Sequence, residues 1–189
     1  MLRVLASSRL ALTGRQVSAL TGRTSHSGVL NVLNRLVEHG LVSRVELNRA
    51  YLFSLNRAHL AAPAVEALME IPNTFVEKMR GLAGAWRLEP VHLSLFGSAA
   101  RGDGGVDSDV DLFVVRAAGV PDDDGRWREQ IEDLRKHIES WTGNPATVLE
   151  VSESGLARLA AEDRPILTEL RSDGVLVAGR DLPALLDAR

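Results

Sequence analysis

Apolar positions recur along this chain with two different periods, and the change of period divides it. Val17 and Leu20 share one face of a helix expected over 14–20, with Thr13 as its N-cap. Gln16 stands at the third helical position and completes a capping-box pattern. Thr21-Gly22-Arg23-Thr24 breaks that helix, and a second one starts near Ser25–Ser27. Its apolar residues Val29, Leu30, Val32, Leu33, Leu36 and Val37 keep the 3.6-residue spacing until Gly40 supplies a stop. Two strands are expected next, over 41–45 and 50–55, with Glu46-Leu47-Asn48-Arg49 as the hairpin tip.

From Arg57 to about Met79 the pattern is helical and Ala-rich, interrupted at Ile71-Pro72-Asn73 because proline cannot continue the hydrogen-bond ladder. Strands and helices then alternate. Strands are expected over 91–96, 109–115, 146–151 and 175–178, and helices over 98–101, 125–141, 153–159 and 164–171. The result is a two-domain plan: 1–57, a helical connector over 58–84 that also offers a dimer surface, and an α/β module over 85–189.

Composition narrows the classes. The chain has 189 residues, 45% apolar and 25% charged, which excludes disordered and fibrous proteins. It has no cysteine, which removes disulfides, thiolate zinc sites and cysteine nucleophiles and fits a cytoplasmic location. No run of residues is apolar and long enough to cross a bilayer, and MLRVLASSRLALTG is too polar for a secretory signal, so a soluble protein with no membrane partner is expected. The net charge of -3 conceals an asymmetry. Residues 1–57 carry eight Arg and two Glu, a net +6, whereas the remainder carries a net −9. One end suits a polyanion and the other suits cations.

Two helices around a Gly-containing turn, followed by a hairpin, resemble the winged helix-turn-helix family across residues 2–56. Leu-Asn-Arg-Leu-Val-Glu-His-Gly-Leu-Val at 33–42 is similar to that family at the entry to the hairpin. The resemblance implies binding of double-stranded DNA, with the second helix in the major groove. Thr24, Ser25, His26 and Ser27 would face the bases, Asn31 and Arg35 would follow one and two turns later, and Asn48 and Arg49 would sit on the wing beside a phosphate or the minor groove. The competing reading is a protein-interaction module in a chain whose 20 Arg against 2 Lys reflect a GC-rich genome. The +6 excess favours DNA. Only Leu2 to about Ser8 precede the helix pair, so either the chain starts further upstream or the connector supplies the first helix of the usual three-helix core.

The second constellation runs from Leu95 to Leu112. An apolar strand ends at Gly97-Ser98, where the missing side chain lets a phosphate approach the backbone, and the following helix start offers free N–H groups with the Ser98 hydroxyl. A glycine-rich loop leads to Asp109 and Asp111, whose side chains share one face of a strand while Val110 and Leu112 face a core. Two neighbouring carboxylates repel, and a hard divalent cation resolves the repulsion.

Gly-Ser, ten residues, then Asp-x-Asp resembles the minimal branch of the polymerase-beta-type nucleotidyltransferase superfamily, a mixed β-sheet flanked by helices. The resemblance implies transfer of a nucleoside monophosphate from an NTP to a hydroxyl with Mg²⁺ or Mn²⁺. In that reading Asp109 and Asp111 hold metal and act in catalysis, and Gly97 and Ser98 bind phosphates. Arg101 either contacts a phosphate or pairs with Asp103. A third carboxylate on a neighbouring strand normally completes the site as ligand or base; Glu150 is the only acid in its apolar strand, the alternative being a solvent-facing edge residue. Asp103 and Asp107 are expected as turn residues.

His26, His39, His59, His92 and His137 show no zinc spacing, and His92 is expected as a packed strand residue. Trp86, Trp127 and Trp141 fit packing positions, and Asp122-Asp123-Asp124 reads as a solvated loop at a helix start. The leading expectation is a DNA-binding transcriptional regulator carrying this domain. An antitoxin-type protein adenylyltransferase acting on a small helical partner is the alternative, and an aminoglycoside-type enzyme ranks last. Winged-helix readers are commonly two-fold dimers, so a homodimer is one assembly the resemblance allows, while the sequence does not name the oligomeric state.

Overall fold

A computed structural model describes residues 1–22, 25–102, 104–105, 108–162 and 164–187. The chain divides into two compact units, Met1–Pro72 and Asn73–Arg189. No described helix is long and apolar enough to cross a membrane.

The first unit contains α1 (Leu2–Ser7), β1 (Leu12–Thr13), α2 (Gly14–Thr21), α3 (His26–Glu38), β2 (Val42–Leu47), β3 (Ala50–Leu55) and α4 (Ala62–Met69). Thr13 caps α2 in a reciprocal box with Gln16, so two otherwise unpaired N–H groups at the helix start are satisfied. Ser25 caps α3 by accepting from the Gly28 N–H at 3.2 Å. Val17, Val29, Leu33, Val42, Phe53 and Leu55 form the core with Leu5 of α1 and with Ala62 and Val65 of α4. The segment 58–84 is therefore shared out: α4 belongs to this core, while α5 (Ile71–Gly84) buries Met79 and Ala83 in the second unit. The helical break falls at Glu70, because Pro72 sits in the first turn of α5, where its missing N–H breaks no bond.

β1, β3 and β2 form an antiparallel sheet in that order. The hairpin tip is narrower than the sequence suggests. Glu46 and Leu47 pair with Tyr51 and Ala50, leaving Asn48 and Arg49 alone in the turn, both with positive φ of 50° and 65°. Two consecutive left-handed residues match the twist of a two-residue hairpin, and Asn tolerates that conformation better than most.

The second unit continues with β4 (His92–Phe96), α6 (Gly97–Arg101), β5 (Val110–Arg116), α7 (Gly125–Thr142), β6 (Ala146–Ser152), α8 (Glu153–Ala161), α9 (Pro165–Asp173), β7 (Val175–Gly179) and α10 (Leu182–Asp187). The sheet order is β6-β5-β4-β7, with β5 and β6 parallel and the other pairs antiparallel. Helices cover both faces. Leu93, Leu95, Val110, Leu112 and Val114 pack with α5 and α7, whereas Phe96, Phe113 and Val115 pack with α8, α9 and α10. Burial on both sides explains why β4 and β5 read as nearly continuous apolar runs. Asp124 caps α7 through the Arg126 and Trp127 N–H groups. The Arg126 guanidinium bond, with those N–H groups, holds its carboxyl down at about 2.

His92 and Ser94 are the buried polar residues of β4, each 2% exposed. The His92 Nδ1 lies 2.7 Å from the Arg180 carbonyl oxygen and its Nε2 lies 2.8 Å from the Ser94 hydroxyl. A carbonyl only accepts, so the neutral ring carries its proton on Nδ1 and accepts at Nε2 from Ser94. Burial depresses the His92 pKa, against the opposing effects of the Arg180 carbonyl and Asp181. The unfolded chain therefore takes up this proton before the folded one does. Its stabilising contribution is complete above the unfolded value of about 6.5 and is lost as pH falls below it. Thermal midpoints of the wild type should decline through that window, and His92→Gln, which cannot titrate, should show a flatter profile there.

Candidate active site

The site is assembled where β4 ends and β5 begins. Antiparallel pairing sets Phe96 opposite Asp111, so the turn at Gly97 lies over the Asp111 carboxylate. Gly97 has φ of 67°, and a Cβ there would come within 2.7 Å of Asp111 Oδ2. Glycine is thus required twice, by conformation and by space. Ser98 follows in the short α6, with its hydroxyl 3.2 Å from where a Gly104 Cβ would stand, so Gly104 lies against it.

Asp109 and Asp111 are brought together on the face of the sheet that also carries Phe113 and Val115. Asp111 is half-buried and its pKa is raised, first by burial, then by the charge of Asp109, then by that of Glu169 on α9. Asp109 is exposed, and its Oδ2 accepts from the Thr147 hydroxyl at 2.9 Å. The segment that delivers it is pinned by the β6 approach. The Val110 N–H donates to the Pro145 carbonyl at 2.9 Å and the Asn144 amide donates to the Ser108 carbonyl at 2.6 Å. Among the described residues no three His, Cys, Asp or Glu side chains converge into a metal-binding group. The dyad nevertheless suits a divalent cation, because the crowding that raises the Asp111 pKa is charge repulsion and desolvation that a cation offsets.

Glu150 is not part of this arrangement. In the parallel β5–β6 register Asp111 faces Thr147 and Val114 faces Glu150, so the side chain of Glu150 lies on the opposite face of the sheet from Asp111. There it accepts from Arg116 Nε at 2.8 Å and from Trp127 Nε1 at 2.9 Å, fastening β6 to α7. The expectation of a third carboxylate at 150 is corrected by strand parity. Arg101 Nη1 donates to Asp173 Oδ2 at 2.8 Å, and Arg101, with Ser172, holds the Asp173 carboxyl below its ordinary value. Asp103 and Asp107 lie outside the described residues. Thr147 and Glu169 went unrecognised in the sequence, since neither belongs to the local motif. Only the strand register and the packing of α9 bring them near.

In the first unit α3 presents Ser27, Asn31 and Arg35 to solvent at successive turns, and His26 and Arg49 are also exposed. The Ser25 hydroxyl is committed to its cap, and Thr24 lies outside the described residues. The hairpin is tied to α3 by Arg44, which donates to Asn34 Oδ1 at 3.3 Å and lies over the Tyr51 ring at 4.7 Å.

Residues 79–159 match the profile of the Nucleotidyltransferase domain family. The chain therefore carries a nucleotidyltransferase domain, an enzyme domain of nucleotidyl transfer. Among curated proteins no match is found. Similar solved structures include the following. A toxin-antitoxin with AMP-PNP is 19% identical, covering 60% of this chain and 81% of its own, with a TM-score of 0.39. A mutant of the toxin-antitoxin MntA-HpeT is 16% identical over the same shares, with a TM-score of 0.40. A nucleotidyltransferase assigned as putative from Sulfolobus solfataricus is 18% identical, covering 63% and 89%, with a TM-score of 0.35.

Gly97→Ala tests the geometry of the turn. The left-handed backbone alone should cost about 1–2 kcal/mol of folding stability, read as a lowered denaturation midpoint. The added methyl should also displace the Asp111 carboxylate and weaken divalent-cation binding, measured by titration calorimetry.

Proposed function

We propose that this protein is a metal-dependent nucleotidyltransferase that moves a nucleoside monophosphate from an NTP to a hydroxyl of a partner protein, and that its first unit binds duplex DNA. The observation that carries the enzymatic reading is the dyad itself: two carboxylates on one strand face, one standing against the bare Cα of Gly97 at the Gly-Ser turn. Asp109 and Asp111 would hold Mg²⁺ or Mn²⁺, which when bound neutralises phosphate charge and orients the reacting oxygens. The Gly97 turn gives a phosphate access to the backbone, and Ser98 adds a hydroxyl donor. The acceptor oxygen attacks the α-phosphorus, the bond to the bridging oxygen breaks, pyrophosphate leaves, and the hydroxyl proton passes to solvent. Exposure of both Asp109 and Thr147 favours an acceptor that brings its own surface, as a partner protein does, over a small molecule needing an enclosed pocket.

The DNA-binding reading rests on the exposed stripe of Ser27, Asn31 and Arg35 on α3, on Arg49 at the hairpin tip, and on the net +6 of residues 1–57. Helix, turn, helix and hairpin in this order resemble a winged helix, whose second helix enters the major groove. This unit would direct the enzyme to DNA, in the manner of a regulator acting at its own operator.

Incubation with α-labelled NTPs, Mg²⁺ or Mn²⁺ and cell extract should transfer label to a protein band. Asp109→Asn and Asp111→Asn should each reduce transfer by on the order of 10²–10³, and label transfer that survives both changes would overturn the assignment. For the first unit, affinity for duplex DNA should fall steeply with salt, and Arg35→Ala should cost about 1–3 kcal/mol if it makes a bidentate base contact. Salt-independent or absent retention in a mobility-shift experiment refutes DNA binding.

A further inference from the structure

We propose that Thr147 is the positioning residue of the metal dyad, holding the Asp109 carboxylate in place from the edge strand where the register leaves no third acid. The inference rests on the nucleotidyltransferase reading above and adds a residue that the motif does not contain. On β6 the positions that share the face of Asp111 are Thr147, Leu149 and Val151, and of these only Thr147 is polar. Thr147 is the cross-strand neighbour of Asp111, yet its hydroxyl reaches past it to Asp109 Oδ2 at 2.9 Å.

Asp109 itself stands just before β5, at an exposed position without a paired neighbour in the β5–β6 register. The β6 approach brackets it, with Asn144 holding the Ser108 carbonyl and Pro145 receiving the Val110 N–H. Those two contacts fix the backbone on either side. The Thr147 hydroxyl reaches the carboxylate itself, and it selects one orientation of an exposed, otherwise rotatable group. It occupies one lone pair of Oδ2 and leaves Oδ1 and the remaining lone pair for a cation. Hydrogen-bonding partners of this kind commonly account for a 10–100-fold difference in metal affinity.

The test uses the full chain and Mn²⁺ alone, followed by the paramagnetic resonance signal of the free ion. Thr147→Val removes the hydroxyl while preserving shape and strand preference at an exposed edge position. It should weaken Mn²⁺ binding by about tenfold or more, while Thr147→Ser should bind close to the wild type. Thr147→Val binding as tightly as the wild type overturns the proposal, and so does equal weakening by Val and Ser. A wild type that binds no Mn²⁺ overturns the metal-dependent reading itself and this inference with it; a wild type that binds alongside an unaffected Val variant overturns this inference alone.

Discussion

The antiparallel pairing of β4 with β5 is the contact on which the rest of the second unit depends. It sets Phe96 opposite Asp111 and thereby closes the loop between the Gly-Ser turn and the acidic strand, two segments that the sequence separates. A slip of one residue would turn Asp111 toward α5 and α7 and Leu112 toward the site. Burial prevents that slip. Leu93, Leu95, Val110, Leu112 and Val114 are held by one helical layer, while Phe96, Phe113 and Val115 are held by the other. The site is therefore a by-product of a sheet whose two faces are both filled, and its precision is that of the core.

Much of this was legible in the sequence because the signals are local. The capping box at Thr13 and Gln16, the stop at Gly40, and the Gly-Ser turn preceding Asp109 and Asp111 each occupy a few consecutive residues and carry their own geometry. The Glu150 assignment fails for the opposite reason. Val148, Leu149 and Val151 place apolar residues on both faces of β6, so alternation alone gives no parity, and the face of residue 150 depends on a register with β5 that the sequence does not encode locally. Glu169 lies on α9, and its proximity to Asp111 follows from how that helix packs over the sheet. The final helix α10 was also missed, being six residues long with a single apolar face formed by Leu182 and Leu185.

The two units divide the electrostatics as well as the chain. A net charge of -3 would suggest indifference to any charged ligand, yet residues 1–57 carry a net +6 and the remainder a net −9. In the first unit the positive side chains on α3 and the hairpin tip are exposed rather than neutralised in the core. Several arginines of the second unit are engaged instead in structural pairs: Arg116 with Glu150, Arg101 with Asp173, Arg80 with Glu77. The first of these fastens β5 to β6 and the second α6 to α9, whereas the third lies within α5.

That acidity has a thermodynamic consequence. Asp111 binds its proton more tightly in the folded chain than in the unfolded one, because folding buries the group beside Asp109 and Glu169. Above the unfolded value of 3.8 the folded state therefore retains a proton that the unfolded state has released, and stability falls as pH rises through the folded value. Above the folded value the ionised Asp111 is a cost to the fold, maintained by the pairing of β4 with β5. A ligand that binds only the folded state returns stability in proportion to the logarithm of its concentration over its dissociation constant. The Asp111 carboxylate that folding crowds is thus one through which a divalent cation would strengthen the fold, so local destabilisation and affinity for cations have one origin in the crowding at Asp111.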